Sequence, residues 1–273
     1  MEATLGSYHL GIATEFGPRV TSLRRDGGPE MLADLEPDNV LRHGGGEYVF
    51  HGGHRLWVAP EIAAVTYAPD DHPCQISETD GVMTVVAPPD SAGLTKEITL
   101  SAEGDRLVVE HRITAHDVGL GSLAPWAITQ LPPGGTALLP LVGASDTRAA
   151  NRFLVLWTYS SLEDHRVALR DDVLELEAGP GPELKFGAGP SPGRLGYFRD
   201  GLVFLKEIES SKDGVVPDFG AAGQVYVGRG FCELESLGVL TDLSTGGTAS
   251  LVEKWMVRDC EDLDAAIELT SGS

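Results

Sequence analysis

Basic residues, cysteines, long apolar runs and helical periodicity are all scarce in this chain. Twenty Lys and Arg stand against 41 Asp and Glu, giving a formal net charge of −21. Nucleic acids and anionic membranes are bound through basic patches, so this balance argues against both as partners. Cys74, Cys232 and Cys260 are odd in number and widely spaced, which makes a poor disulfide framework. No apolar run approaches the roughly 20 residues of a membrane span. The first ten residues have neither a basic region nor an apolar core of the signal-peptide kind. A reduced, cytoplasmic protein is the expectation. Phosphate-loop, dinucleotide Gly-x-Gly-x-x-Gly and Cys-x-x-Cys patterns are missing as well.

Turn formers and short β-prone runs are plentiful. The chain holds 34 Gly and 17 Pro, spread along its whole length as the turns of a β protein require. Candidate strands fall at 8–13, 18–24, 82–87, 95–101, 106–114, 122–130, 152–159, 172–176, 194–198, 201–208, 223–228, 231–237 and 248–257. In the clearest of them Leu107, Val109, His111 and Ile113 share one face, and Val108, Glu110, Arg112 and Thr114 the other. Asp26-Gly-Gly28, Asp80-Gly81, Glu103-Gly104, Asp200-Gly201 and Asp213-Gly214 carry hairpin-type turn chemistry. Residues 261–269, with acids in the first turn, predict one short C-terminal helix, and 144–153 a further helical turn. No composition shift or fixed-period repeat divides the 273 residues. The expectation is one all-β domain, residues 1–273, of two packed antiparallel sheets with at most one or two short helices.

Four segments carry candidate chemistry. In His43–Glu61 the glycine pairs allow close backbone approach, and Arg55 and Trp57 share a strand face. A guanidinium fork beside an indole plate suits a polyhydroxylated ring, although a core Trp57 with an ion-paired Arg55 reads equally well. His51 and His54 lie three apart and so face opposite ways on a strand, which makes no chelate, and no metal site is expected. In Leu123–Gly135, Trp126 reads either as a stacking platform or as core. Only five Lys occur, so Lys206 within an apolar strand stands out, either as a partner of Asp218, Glu235 or a ligand or as a snorkelling edge residue. In Phe231–Gly238, Glu233 and Glu235 lie two apart and so on one strand face. Crowded carboxylates raise one another's pKa, which can poise one for proton transfer, but outward acids also protect an edge strand.

Taken in order, these segments resemble the galactose mutarotase-like superfamily, and in particular an uncharacterised bacterial branch rather than the aldose 1-epimerases proper. The matching stretches are Phe16-Gly-Pro-Arg-Val20, His51–Glu61, Ala124–Thr129 with Pro133-Gly-Gly135, Val216-Pro-Asp218, Glu233–Gly238 and Glu253-Lys-Trp255. The resemblance implies a β-supersandwich with a carbohydrate-sized cleft and no cofactor. It implies that Glu235 is the general base that takes the anomeric hydroxyl proton, with Glu233 as the alternative. His54 falls in a segment similar to the first substrate-binding region. The family's His-Pro-Tyr-like acid segment has no counterpart, and Ala124-Pro-Trp126 stands in its place.

Three functions follow as expectations. The first is a sugar-active protein, with an aldose 1-epimerase-type isomerase as its catalytic form and Glu235, Glu233 and His54 as catalytic candidates. Arg55, Trp57, Glu61, Trp126, Lys206 and Asp218 would then contact a small carbohydrate ligand. The second is a carbohydrate-binding protein without catalysis. The third is a different enzyme, such as a lyase or hydrolase, on the same scaffold.

Overall fold

The chain is described here from a computed structural model, which covers every residue except 45, 117–118, 142–147, 149, 190–192, 210–212, 245 and 273. Two ten-stranded antiparallel sheets pack face to face. The first runs, in spatial order, through Glu2–Leu5, Tyr8–Ile12, Arg19–Arg25, His54–Ala59, Ser122–Leu131, Phe231–Leu237, Gly223–Gly228, Leu184–Ala188 and Val155–Leu156, with Thr241–Asp242 also paired to Ser122–Leu131. The second runs through Val167–Leu169, Val173–Glu177, Thr136–Pro140, Arg194–Arg199, Leu202–Glu209, Gly247–Asp259, Arg106–Ala115, Leu94–Glu103, Val82–Val86 and Gln75–Thr79. A separate hairpin, Val40–His43 with Gly46–Val49, lies outside both.

The alternation predicted for 106–114 holds. Leu107, Val109, His111 and Ile113 are buried while Glu110 and Arg112 are exposed. The main core lies between the sheets, built from residues such as Leu56, Val58, Ala127, Leu131, Leu234, Val225 and Phe186 of the first and Leu107, Ile113, Phe204 and Trp255 of the second. Each Leu, Val, Ile or Phe among them contributes about 1.5–3 kcal/mol by leaving water. Ser122–Leu131 shows no alternation in burial because both its faces are covered. Its Pro125, which lacks a backbone donor, falls where the neighbouring strand changes from Phe231–Leu237 to Thr241–Asp242.

Each candidate strand corresponds to an observed one, though 152–159 shrinks to Val155–Leu156. Asp80-Gly81 and Asp200-Gly201 close two-residue hairpins with positive φ at both positions, as type I′ turns require. Two of the other hairpin expectations are corrected. Asp26-Gly27 also turns with positive φ, but the next strand begins only at Val40, and Gly214 leads into the turn Pro217–Gly220. That turn holds Asp218 and Phe219 in left-handed conformations, so it is helical in hydrogen bonding only. One helical turn, Ala63–Thr66, and the expected C-terminal helix, Leu263–Ser271, complete the helical segments among the described residues. The latter is capped by Asp262, whose carboxylate accepts from the Ala265 backbone N–H at 2.9 Å, and it packs on the outer face of the second sheet. Of the further turn predicted at 144–153, residues 144–147 and 149 lie outside the described residues, and 150–153 form no helix, which corrects that part of the expectation.

Candidate functional site

Period-two alternation sorts the first sheet's side chains between the core and its outer face. Arg55 and Trp57 point outward, with Trp126, Ile128 and Gln130 beside them. Next come Glu233, Glu235 and Leu237, then Gln224 and Tyr226, and finally Lys185. Strand register aligns them in rows. Arg55, Ile128, Glu235 and Gln224 are successive partners across four strands. Trp57, Trp126 and Leu237 form the row on one side, and Gln130, Glu233, Tyr226 and Lys185 the row on the other.

Aromatic side chains roof this face. Tyr48 of the separate hairpin meets Trp57 edge-on at 5.0 Å, and Phe50 lies 5.7 Å from Phe231. Tyr67, which follows the helical turn, stands 5.1 Å from Trp57, and His43 lies 5.1 Å from Tyr67. The glycine pair behaves as the sequence implied. A Cβ on Gly52 would lie 2.0 Å from the Ala33 carbonyl oxygen, and one on Gly53 would lie 2.2 Å from that of Val20. Both residues also have positive φ, so no other side chain is accommodated there without displacing backbone.

Each of the two carboxylates is matched to a cation. Glu233 Oε1 accepts from Arg55 Nη2 at 3.0 Å and from Gln130 Nε2 at 3.0 Å. Glu235 Oε2 accepts from Lys185 Nζ at 2.7 Å and from the Trp126 indole N–H at 2.7 Å. The Lys185 ammonium sits between two indoles, 4.6 Å from the Trp126 ring and 4.7 Å from that of Trp157. Arg55 lies 4.1 Å from the centre of the Trp57 ring. Glu235 is 1% exposed. Burial raises its pKa, the Lys185 ammonium opposes that rise, and Glu233 adds to it, leaving a net upward shift.

The expected site residues divide into groups. Arg55, Trp57, Trp126, Glu233 and Glu235 share the outer face. Asp218 adjoins them, its carboxylate accepting from Gln224 Nε2 at 2.8 Å. Glu61 is exposed and accepts from the Tyr67 hydroxyl at the roof. His54 and Lys206 lie on the opposite side of the sheet, in the core, and this corrects the expectation that they reach a ligand in the cleft. Adjacent strand residues face opposite ways, so Arg55 outward puts His54 inward.

Both belong to a buried polar cluster at the centre of the sandwich. The Leu251 carbonyl can only accept, so His111 donates to it through Nδ1 at 3.2 Å, and His111 Nε2 then accepts from His54 Nε2 at 2.7 Å. His54 Nδ1 in turn accepts from the Thr129 hydroxyl at 2.9 Å, which accepts from Lys206 Nζ at 3.2 Å. Lys206 also donates to the carbonyls of Ala127 and Leu234 and lies 3.0 Å from Glu253 Oε1. Burial pushes both imidazoles and the Lys206 ammonium below their ordinary pKa values, with Glu253 opposing the shift at His111 and Lys206. Ligand atoms of His54, His111 and Glu253 lie within 4.8 Å of one another, close enough to share a metal ion. The Lys206 ammonium already stands beside that carboxylate, and both imidazoles are spent on internal hydrogen bonds.

Lys185, Gln130, Gln224, Trp157 and the roof tyrosines went unrecognised as site residues in the sequence. Lys185 did leave a signal, because it is one of only five lysines and lies between the core-facing Leu184 and Phe186.

The outer face also leaves polar atoms without partners. Arg19 Nε, Arg55 Nε and Nη1, Trp57 Nε1, Gln130 Oε1 and Gln224 Oε1 are buried and make no hydrogen bond. They account for six of the eleven such side-chain atoms among the described residues. Buried polar groups in folded proteins are nearly always paired, so a concentration of unpaired ones marks a place that a ligand or water fills.

No protein-family model and no curated protein matches this chain. Solved structures do match it. A galactose mutarotase-like protein from Lactobacillus casei ATCC 334 aligns with a TM-score of 0.54 and 13% identity over 94% of this chain and 99% of that one. A galactose mutarotase-like protein from Clostridium acetobutylicum aligns at 0.51 and 10% identity over 94% of each chain. A TPR-domain containing protein from Parabacteroides distasonis ATCC 8503 aligns at 0.64 and 14% identity, over 97% of this chain but 47% of its own. Identities this low establish the backbone architecture and leave residue roles to the geometry.

Proposed function

Starting from the galactose mutarotase-like fold that this chain carries, we propose that the outer face of its first sheet binds a neutral sugar. There Glu235 acts as the base in interconverting the sugar's anomers. The observation that carries the reading is the group of six buried, unpartnered polar atoms on that face. It mixes donors, from two guanidinium groups and an indole, with acceptors, from two amides. Hydroxyl groups both donate and accept, so a polyhydroxylated ring can satisfy both kinds.

Charge supports a neutral ligand over an anionic one. Glu233 is balanced by Arg55 and Glu235 by Lys185, and the carboxylates of Asp218 and Glu61 beside them weigh against a phosphate. Trp57 and Trp126, each 5% exposed, line the same face with apolar indole surface, the kind that suits the C–H side of a ring. Both donors to Glu235 bond Oε2, and Oε1 accepts from no described residue, which leaves it for the anomeric hydroxyl.

Polarimetry on a panel of neutral hexoses tests this reading. Wild type should accelerate the approach to anomeric equilibrium. Glu235→Gln should lower that acceleration by about 10²–10⁴-fold, the usual contribution of one positioned proton-transfer group. No acceleration on any sugar would remove the isomerase reading.

A second reading, binding without turnover, is favoured by one specific observation. Among the five strands that carry the site's side chains, the one histidine is His54, which faces the core, and the roof's His43 stands against Tyr67. Saturable heat of binding in calorimetry without acceleration in polarimetry would support it.

A further inference from the structure

We propose that Lys185 is the acid partner of Glu235, giving a proton to the sugar's ring oxygen as Glu235 takes one from the anomeric hydroxyl. This inference rests on the anomer-interconversion reading above.

The geometry places the two groups as one unit. Lys185 Nζ lies 2.7 Å from Glu235 Oε2, and the side-chain exposures of the pair are 7% and 1%. An ammonium has three N–H bonds, and this one meets a single hydrogen-bond acceptor among the described residues. The Trp126 and Trp157 rings flank it and fix its head beside the carboxylate. The other cation beside these acids, Arg55, belongs to a residue type that does not release its proton. Tyr48 and Tyr67 spend their hydroxyls on Asp70 and Glu61.

Every proton and electron in the step is accounted for. Glu235 takes the proton from O1–H, and the freed electron pair forms the C1=O1 double bond. The C1–O5 bond breaks, and its electron pair takes a proton from the Lys185 ammonium. The products are the open-chain aldehyde, a neutral carboxylic acid and a neutral amine. After rotation about C1–C2, Lys185 takes the O5 proton back as O5 attacks the other face of C1, and Glu235 returns its proton to O1. An ion pair thus becomes a neutral pair and then an ion pair again. The net charge of the buried site never changes, which avoids the cost of creating a lone charge out of water.

Lys185→Arg separates this role from a merely structural one. Arginine keeps the charge, the contact with Glu235 and the stacking between indoles, but it holds its proton. The expected result is hexose binding within a few-fold of wild type by calorimetry, with acceleration of interconversion lower by about 10²–10⁴-fold. Lys185→Ala should lose the acceleration too, and added methylamine should restore part of it above a protein-free blank. Acceleration by Lys185→Arg equal to wild type would overturn the assignment and leave the sugar reading intact. So would loss of acceleration in Tyr159→Phe with Lys185→Arg unaffected, which would hand the acid role to Tyr159, a phenol whose pKa is raised by burial and by the Glu235 charge near it. Wild type that binds hexoses without accelerating their interconversion would overturn both this assignment and the isomerase reading.

Discussion

Five of the fold's lysines and glutamates form two ion-paired groups on opposite sides of one sheet, and their surroundings give them different tasks. Lys185 meets Glu235 on the outer face, where indoles and unpartnered polar atoms gather and Glu233 stands alongside. Lys206 meets Glu253 in the core, where the ammonium is ringed by acceptors already in place, the Ala127 and Leu234 carbonyls, the Thr129 hydroxyl and the Glu253 carboxylate. The second pair is therefore structural, and its loss should be felt in folding. Removing one partner of a buried pair strands the other charge, a change that typically costs about 3–5 kcal/mol. Lys206→Met should lower stability by that order in urea unfolding, and the double variant Lys206→Met with Glu253→Gln should recover much of the loss. A Lys206→Met chain as stable as wild type would mean that the Lys206–Glu253 contact does not hold the fold together.

At the level of strands and helices, period-two alternation made much of the site legible. It put Arg55 beside Trp57 and Glu233 beside Glu235, and the structure keeps both pairings. Alternation says which residues share a face but not which face is inside. The family resemblance of its segment puts His54 with Arg55, although neighbouring strand residues cannot both look into one cleft. Lys185 escaped notice because its strand, Leu184–Ala188, is short and bounded by Gly/Pro loops, so its alternation covers too few residues to stand out. The roof was illegible for another reason. Tyr48, Tyr67 and Trp157 reach the site from a hairpin and loops whose paths are set by tertiary packing. The C-terminal helix, in contrast, announced itself through its first-turn acids. Asp262→Ala removes its N-terminal cap and should cost about 1 kcal/mol. Because the helix packs on the far sheet, sugar binding should be unaffected; thermal unfolding and calorimetry on the same sample check both halves.

For the molecule as a whole, the buried imidazoles link stability to acidity. Burial holds His54 and His111 neutral in the fold, with pKa values below that of an exposed histidine. The unfolded chain takes up protons at those sites near pH 6.5, before the folded chain does. Below that pH the unfolded state binds more protons, so stability falls as pH drops from about 7 toward 5. Glu235 acts in the opposite sense, since its raised pKa lets the folded state take a proton first, and this moderates the fall. Urea midpoints at pH 7.5, 6.5 and 5.5 should decline in that order. A flat series would show that the imidazoles are not held neutral by the fold.

Three of the chain's four indoles, those of Trp57, Trp126 and Trp157, stand at the candidate site, and the fourth, Trp255, is sealed in the core. The ultraviolet emission of this protein is therefore weighted toward the place where a guest would sit. An ammonium pressed against two of the emitters makes their brightness sensitive to any shift in its position. Occupancy can be followed optically in the unlabelled chain, whether or not the guest is chemically altered.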